Sequence, residues 1–462
     1  MAKTTDLTSG KIGRSLLAFA VPLLLSSLVQ QLYNTVDLIF VGNFIDKSAS
    51  AAIGASSQLI NCLVGFFGGM SVGAGVAVAQ LFGAGKTERI RSAVHTVLAL
   101  SLVGGVLFFA VGYAAAPAYL RLVNTPDSLQ ADAVSYLRIY LISLVPMFIY
   151  NLGSGVLRAL GDSRSPLYAQ TVGGLANVAM DYLFIRCLAG GVDGVAWATL
   201  ISQTAAAGMT LISLVRLDER YALRLREIHF DLPILRRIVA IGIPAGTQSL
   251  VITLSNVMAQ VHINSLGEDA IAAFTAYFKV ELIIYLPIVA FGQAVMSFTG
   301  QNMGACDARR VREGTRVCLL ISMGVAAATS AAALCFGSVL FRLFNTEADV
   351  IALGCRIIAV TFPFYFLYSV LQILGDSLRG VGRVKQPMFI VLVNLCLVRT
   401  ALLFLIVPRF QSVESVAFTY PATWALTALG MLLYYIKSSG KPREKEKIYP
   451  PTPAFRRKAE EV

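Results

Sequence analysis

Long apolar runs dominate the chain, broken at short intervals by polar or glycine-containing turns. A bilayer core needs roughly 20 apolar residues per helix. On that basis the pattern predicts twelve spanning helices, near residues 15–42, 51–79, 93–118, 133–158, 166–188, 190–215, 234–263, 272–298, 314–338, 350–376, 387–407 and 416–436. The expected fold class is therefore an all-α membrane protein. The first run is too long for the apolar part of a signal peptide and lacks a small-residue cleavage site, so it is expected to remain as a helix.

Composition agrees: 56% of the 462 residues are hydrophobic and 14% are charged, well below the roughly 25% charged of soluble domains. The seven cysteines show no paired spacing and the three histidines are scattered, so neither a disulfide framework nor a His-based metal site is expected. The net charge of +12 changes meaning once it is placed. Of the 38 Lys and Arg residues, 29 fall on the side that holds both termini, five fall on the other side and four lie within spans. That bias predicts cytoplasmic termini and contact with anionic lipid, and it removes the need for a nucleic-acid partner. A multi-pass protein of the bacterial inner membrane, acting as a monomer, is the expectation.

The two halves repeat. Pro22 and Asn34 match Pro244 and Asn256 at an offset of 222. QLFGAG (Gln80–Gly85), RLVNT (Arg121–Thr125) and LRALGDSRSP (Leu157–Pro166) match QNMGAC, RLFNT and LRGVGRVKQP at 221. Six spans per half make the repeats parallel, and two-lobed repeats of this kind work by alternating access. The expected organisation is an N-terminal lobe over 1–215, a linker over 216–233, a C-terminal lobe over 234–437 and a basic tail over 438–462.

Asp37 stands deep in the first span, where a carboxylate is expensive and marks function by default. Ser26 or Ser27, Gln30, Asn34 and Asp37 recur at spacings of three and four, which places them on one helical face. Tyr33 stands beside that stripe, and Pro22 upstream predicts a kink or hinge. In the fifth span Asn177 and Asp181 share a face, at a depth that agrees with Asp37, and Thr199 of the sixth span offers a hydroxyl. Carboxylate, amide and hydroxyl oxygens suit H+ or a hard monovalent cation such as Na+. The repeat acts as a control, because the partners of Asp37 and Asp181 are Ala259 and Leu402. The second half keeps the scaffold and omits the acids, so coupling belongs to the first lobe. Gln30, Tyr33, Asn34, Met70, Asn151 and Met296 are candidates to line a substrate cleft.

The second lobe has its own charges. Lys279 and Glu281 are two apart, hence nearly opposite on a helix, and Glu281 with Arg399 is a candidate buried pair. Asp376, three residues before Arg379, reads as interfacial, and Arg138 and Arg356 read as snorkelling. FPFYFLY (Phe362–Tyr368) reads mainly as lipid-facing packing, with a drug-stacking surface as the second reading. LFGAGKT (Leu81–Thr87) imitates a phosphate loop, but Gln80 stands where that motif needs glycine and no strand precedes it. It reads as a turn, and neither ATP, nor any cofactor, nor enzymatic chemistry is expected.

VPLLLSSLVQQLYNTVDLIFVG, QLFGAG, GQNMGA, LRALGD, LRGVGR and NVAMDYLFI together resemble the multidrug and toxic compound extrusion (MATE) family over about residues 12–437, most closely its prokaryotic DinF-like branch. The resemblance implies twelve helices in two lobes and export of organic, often cationic, compounds in exchange for H+ or Na+. It implies coupling at Asp37 and Asp181, with Asn177 and Thr199 as accompanying polar positions. It also implies that cation binding near the first-span acid changes the bend of that helix. Another branch uses acids in the seventh and tenth spans. Here the seventh span has none and Tyr368 holds the tenth-span position. A lipid-linked oligosaccharide flippase and a non-transporting receptor or scaffold stand as the alternatives.

Overall fold

The computed structural model describes residues 6–44, 47–188 and 190–439; the basic tail expected over 438–462 lies almost wholly outside them. The first half comprises α1 (Ile12–Phe44), α2 (Lys47–Gly83), α3 (Thr87–Leu122), α4 (Asp127–Ile142), α5 (Leu144–Ala159), α6 (Arg164–Asp181) and α7 (Gly191–Val215). The second comprises α8 (Leu232–Asn264), α9 (Glu268–Gly304), α10 (Ala308–Cys335), α11 (Gly337–Arg342), α12 (Ala348–Thr361), α13 (Tyr365–Gly380), α14 (Lys385–Val391), α15 (Arg399–Phe410) and α16 (Val413–Ser439). No strand occurs among the described residues.

Eleven helical stretches among the described residues are long and apolar enough to cross a membrane. They coincide with every expected span except the fifth. That span is helical too, since α6 continues as π-helix through Tyr182–Cys187, but Gln170, Thr171, Asn177 and Asp181 make it more polar than its neighbours. Two spans are broken where continuous helices were expected. Pro146 lacks the N–H that would bond Ile142 and crowds that carbonyl, so the fourth span divides at Ser143 into α4 and α5. Pro363 similarly places a 3-10 turn, Phe362–Phe364, between α12 and α13. In the eleventh span α14 and α15 are joined by a second π-helical stretch, Leu392–Val398.

Two of the repeated motifs share backbone geometry, whereas in RLVNT and RLFNT Asn124 has a φ of 55° and Asn345 is not left-handed. Gly85 and Cys306 have φ of 67° and 63°, and Gly161 and Gly382 have φ of 86° and 90°. Asp162 N donates to Leu157 O at 2.9 Å, and Arg383 N donates to Leu378 O at 2.8 Å. Each of these two motifs therefore ends a helix by a left-handed residue that closes the last carbonyls. LFGAGKT is one of these turns: Lys86 N bonds Leu81 O at 3.1 Å.

Packing divides the chain into two units whose borders differ from the expected ones at two places. One unit takes residues 21–246 and the other takes residues 7–20 together with the chain from Thr247. The first turns of α1 thus belong with the second half, and the linker and first turns of α8 belong with the first half. The division falls beside Pro22 in α1 and beside Pro244 in α8.

In the first unit α2 lies directly on α8. A Cβ on Gly69 would sit 2.2 Å from Gly246 N, and one on Gly73 would sit 2.3 Å from Ile238 O. The linker is tied to α3, where Arg224 N donates to His95 Nε2 at 3.1 Å and Asp231 N to Thr96 Oγ1 at 2.9 Å. In the second unit the incoming N-terminal segment is held in an equivalent way. Leu7 N donates to Gln301 Oε1 at 3.0 Å, and Arg310 Nη2 donates to Ser9 O at 2.7 Å. Gln80, the repeat partner of Gln301, accepts a hydrogen bond from Arg237 at the start of α8. One amide position in each repeat therefore anchors a segment contributed by the other half of the sequence.

Candidate functional site

Asp37 and Asp181 come together inside the first unit. Asp37 is carried by α1 and is half-buried. Asp181, the last residue of α6, is 0% exposed. Their carboxyl groups lie side by side. Asp37 Oδ1 and both oxygens of Asp181 are buried without a hydrogen-bond donor. Asn177, one turn earlier on α6, is 3% exposed, and its Oδ1 is likewise without a donor. The π-helical stretch begins at Tyr182, directly after Asp181. Such widened turns recur at functional sites.

Below the acids the α1 stripe meets tyrosines that the sequence reading did not assign. Tyr136 on α4 lies beside both Asp37 and Asp181. Tyr140 lies near Asp37 and Tyr33. Tyr33 rests on Gly174, where a Cβ would come within 3.0 Å of its ring, and its hydroxyl accepts from Gln170 Nε2 at 3.3 Å. Gln30 flanks Tyr33. Tyr150 lies beside Ser26 and Ser154. Ser26, Gln30, Tyr33 and Asp37 thus face a polar column built from α4, α5 and α6. Tyr136, Tyr140 and Tyr150, unlike Tyr33, were not found from sequence because each stands in an apolar helix with nothing in its spacing to distinguish it from packing.

The remaining candidates divide. Asn34 is exposed on α1. Thr199 is half-buried, and its hydroxyl donates to Val195 O of its own helix at 3.0 Å rather than to an acid. Asn151 donates from Nδ2 to Met147 O at 2.9 Å, while its own carbonyl accepts from Ser71 Oγ at 2.6 Å. Met70 and Met296 are buried packing residues. A Cβ on Gly242 would sit 2.9 Å from Met70 Sδ, and one on Gly380 would sit 2.5 Å from Met296 O. Pro22 is internal to α1, at the division between the units.

The expected Glu281–Arg399 pair forms no contact ion pair. Glu281 accepts from the Tyr365 hydroxyl, and the Tyr277 hydroxyl lies 3.5 Å away. Arg399 lies 4.5 Å over the Tyr420 ring and donates to Thr423 Oγ1 at 3.4 Å. Tyrosine donors and an aromatic face occupy the groups that were expected to meet. Asp376 is 4% exposed and bonded to Arg379 Nη1 at 2.6 Å, a pair buried within the protein near the end of α13. Lys279 is exposed. Arg138 stacks 4.5 Å over Tyr113, and Arg356 pairs with Glu414. In FPFYFLY, Phe362 and Tyr365 are core residues, while Phe364 and Phe366 are exposed.

Two carboxylates flanked by an amide oxygen form a small, hard oxygen set of the kind that suits a proton or a hard cation. No group of three or more His, Cys, Asp or Glu able to hold a metal ion occurs among the described residues. The arrangement accepts positive charge singly: two adjacent carboxylates without donors repel, and one proton or one monovalent cation between them removes that repulsion.

The site sits in a fold that known proteins share. The solved structure of an outward-facing multidrug resistance MATE family transporter of the MOP superfamily superposes with a TM-score of 0.89 at 22% identity, over 95% of this chain and 98% of that one. The probable multidrug resistance protein YoeA of Bacillus subtilis is 28% identical over 92% of this chain and 93% of its own length. YpnP, another probable multidrug resistance protein of the same organism, is 28% identical over 86% of this chain and 89% of its own. The MatE family model matches twice, over residues 22–183 and 244–405. The two matches start 222 residues apart, the offset of the Pro22–Pro244 repeat, and on this evidence the chain belongs to the MatE family.

Proposed function

We propose that this protein is a secondary multidrug efflux antiporter that exports organic compounds in exchange for H+ or Na+. The observation that carries the reading is the set of four buried oxygens without donors, contributed by Asp37, Asp181 and Asn177 on two helices of one unit. A cation or proton held there removes the repulsion between the two acids and fastens α1 to α6. Its release frees Asp37 and lets the outer part of α1 pivot about Pro22, where the missing N–H leaves the helix easiest to bend. The tyrosine column beside Gln30 and Tyr33 supplies rings and hydroxyls for an organic substrate. We assign the protein to the DinF-like branch and to the bacterial inner membrane, as a monomer with both termini cytoplasmic. The names of YoeA and YpnP agree with drug export.

The test is transport in reconstituted vesicles with ethidium, imposing Na+ and H+ gradients separately. One gradient should accelerate dye movement, and Asp37→Asn should lower that gradient-driven flux at least about tenfold without lowering the melting temperature. Dye movement that is the same with and without both gradients would overturn the antiporter reading. Full coupled flux in Asp37→Asn would remove the acid pair from it.

A further inference from the structure

The two repeats treat one equivalent arginine in opposite ways. Arg379, in the last turn of α13, donates from Nη1 to Asp376 Oδ1 at 2.6 Å and from Nη2 to Gln248 Oε1 at 3.0 Å. The other Asp376 oxygen accepts from Gln372 Nε2 at 2.7 Å. Gly292 makes room for this acid, since a Cβ there would lie 2.2 Å from Asp376 Oδ2. The charge of Arg379 is thus neutralised within its own unit.

Arg158 holds the same place 221 residues earlier, in the last turn of α5. The position of Asp376 is Gly155, and the position of Gly292 is Ser71. A Cβ on Gly155 would lie 2.6 Å from Ser71 Oγ and 2.7 Å from Ser71 O, so no acid fits there. Arg158 Nη2 instead donates to Ser71 Oγ at 3.1 Å, and Tyr150 lies beside the guanidinium. Among the described residues no carboxylate stands within ion-pair distance of Arg158. The residue is half-buried, and none of its nitrogens is a sealed, unpartnered donor. A guanidinium has five donors in a planar fork, so most of this fork stays available. An uncompensated charge in a membrane-embedded unit is expensive unless something meets it. The other repeat shows that the scaffold can supply an acid at this point.

We propose that Arg158, positioned by the Ser71 hydroxyl and with the Tyr150 hydroxyl beside it, is an anion-accepting subsite that takes the carboxylate of a zwitterionic or anionic organic substrate. The guanidinium fork matches a carboxylate bidentately. Ser26, beside Tyr150, and Asp37 are eleven residues apart on α1, about 16 Å at 1.5 Å per residue. The subsite and the acid pair therefore stand at opposite ends of one polar column, and a substrate carboxylate at Arg158 does not contend with the coupling ion. The proposal rests on the transport reading and narrows its substrate class.

Two probes test it in the same vesicles: ethidium, a permanent cation with no carboxylate, and a fluoroquinolone zwitterion. Arg158→Gln should raise KM for the fluoroquinolone about tenfold and leave ethidium within about twofold, with Arg158→Lys intermediate because it keeps the charge and loses the fork. The fluoroquinolone methyl ester, offered to the unaltered protein, should show the same loss, so the test does not depend on a variant folding. An ester handled as well as the acid overturns the subsite. So does an equal loss of both probes in Arg158→Gln, which would make the arginine a scaffold residue. Absence of gradient-driven flux of either probe in the unaltered protein would instead sink the transport reading itself.

Discussion

Glu281 sits in the core of the second unit with a hydroxyl bonded to it, a second hydroxyl close by and no contact ion pair. Replacing it with leucine leaves the Tyr365 hydroxyl without its acceptor and removes the carboxylate whose field acts together with Arg399. Stranded buried groups of this kind cost about 2–4 kcal/mol, so Glu281→Leu should lower the melting temperature clearly. Glu281→Gln keeps an acceptor for the tyrosines and should cost about 1 kcal/mol. Equal melting temperatures for the two variants would contradict a structural hydrogen-bond role. The sequence placed the acid and Arg399 within reach of each other but gave no sign of the tyrosines between them. A tyrosine in an apolar run looks like packing until the fold brings a carboxylate to its hydroxyl. Asp37 and Asp181 were legible for the converse reason: a carboxylate in a span has no bland explanation in composition, and the repeat showed that the scaffold does without it.

At the level of helices, length and apolar content located the spans, and two kinds of detail stayed out of reach. Pro146 and Pro363 are visible in the sequence, yet one proline inside a span leaves its helix continuous, as Pro22 does in α1, and another divides it. Neighbouring side chains decide which, through how they re-satisfy the freed carbonyl. Helix partners were the other gap, because periodicity shows a buried face and does not say what buries it. The contact of α2 with α8 is an example, and it makes a sharp prediction. Gly69 faces the Gly246 backbone at a distance that leaves no room for a Cβ, whereas a Cβ on Gly68 would meet nothing within 4 Å. Gly69→Val should cost about 2 kcal/mol or more by forcing the helices apart. Gly68→Ala should be neutral or stabilising by up to about 1 kcal/mol, since alanine is the better helix former. Thermal melting of the two variants in detergent checks this, and a Gly69→Val protein as stable as the parent would mean that α2 and α8 do not meet there.

On the scale of the whole molecule the sequence repeat and the packing units are not the same partition. Similarity starts anew at Pro244, while packing exchanges the first turns of α1 and α8 between the halves. The exchange follows from where the anchoring groups are. Gln301 and Arg310 hold Leu7 to Gly10, and Gln80, His95 and Thr96 hold the linker and the entry to α8. None of these partners is adjacent in sequence, so no reading of local pattern would find them. The proposed orientation rests on a different kind of signal, the retention of lysine and arginine on one side of the membrane. Three exposed free cysteines turn that orientation into a measurement. Cys306 lies in the turn before α10, next to the arginines at 309–316, while Cys335 ends α10 at the far side and Cys187 closes the fifth span there. With the arginine-rich side cytoplasmic, a membrane-impermeant maleimide added to intact cells should label single-cysteine proteins bearing Cys187 or Cys335. The protein bearing only Cys306 should be labelled after permeabilisation alone. The reverse pattern would invert the molecule. The exchange would still run in the direction that the ion gradient sets, because alternating access opens the pair to each side in turn, so this outcome would overturn the cytoplasmic placement of the termini and leave the antiport reading standing.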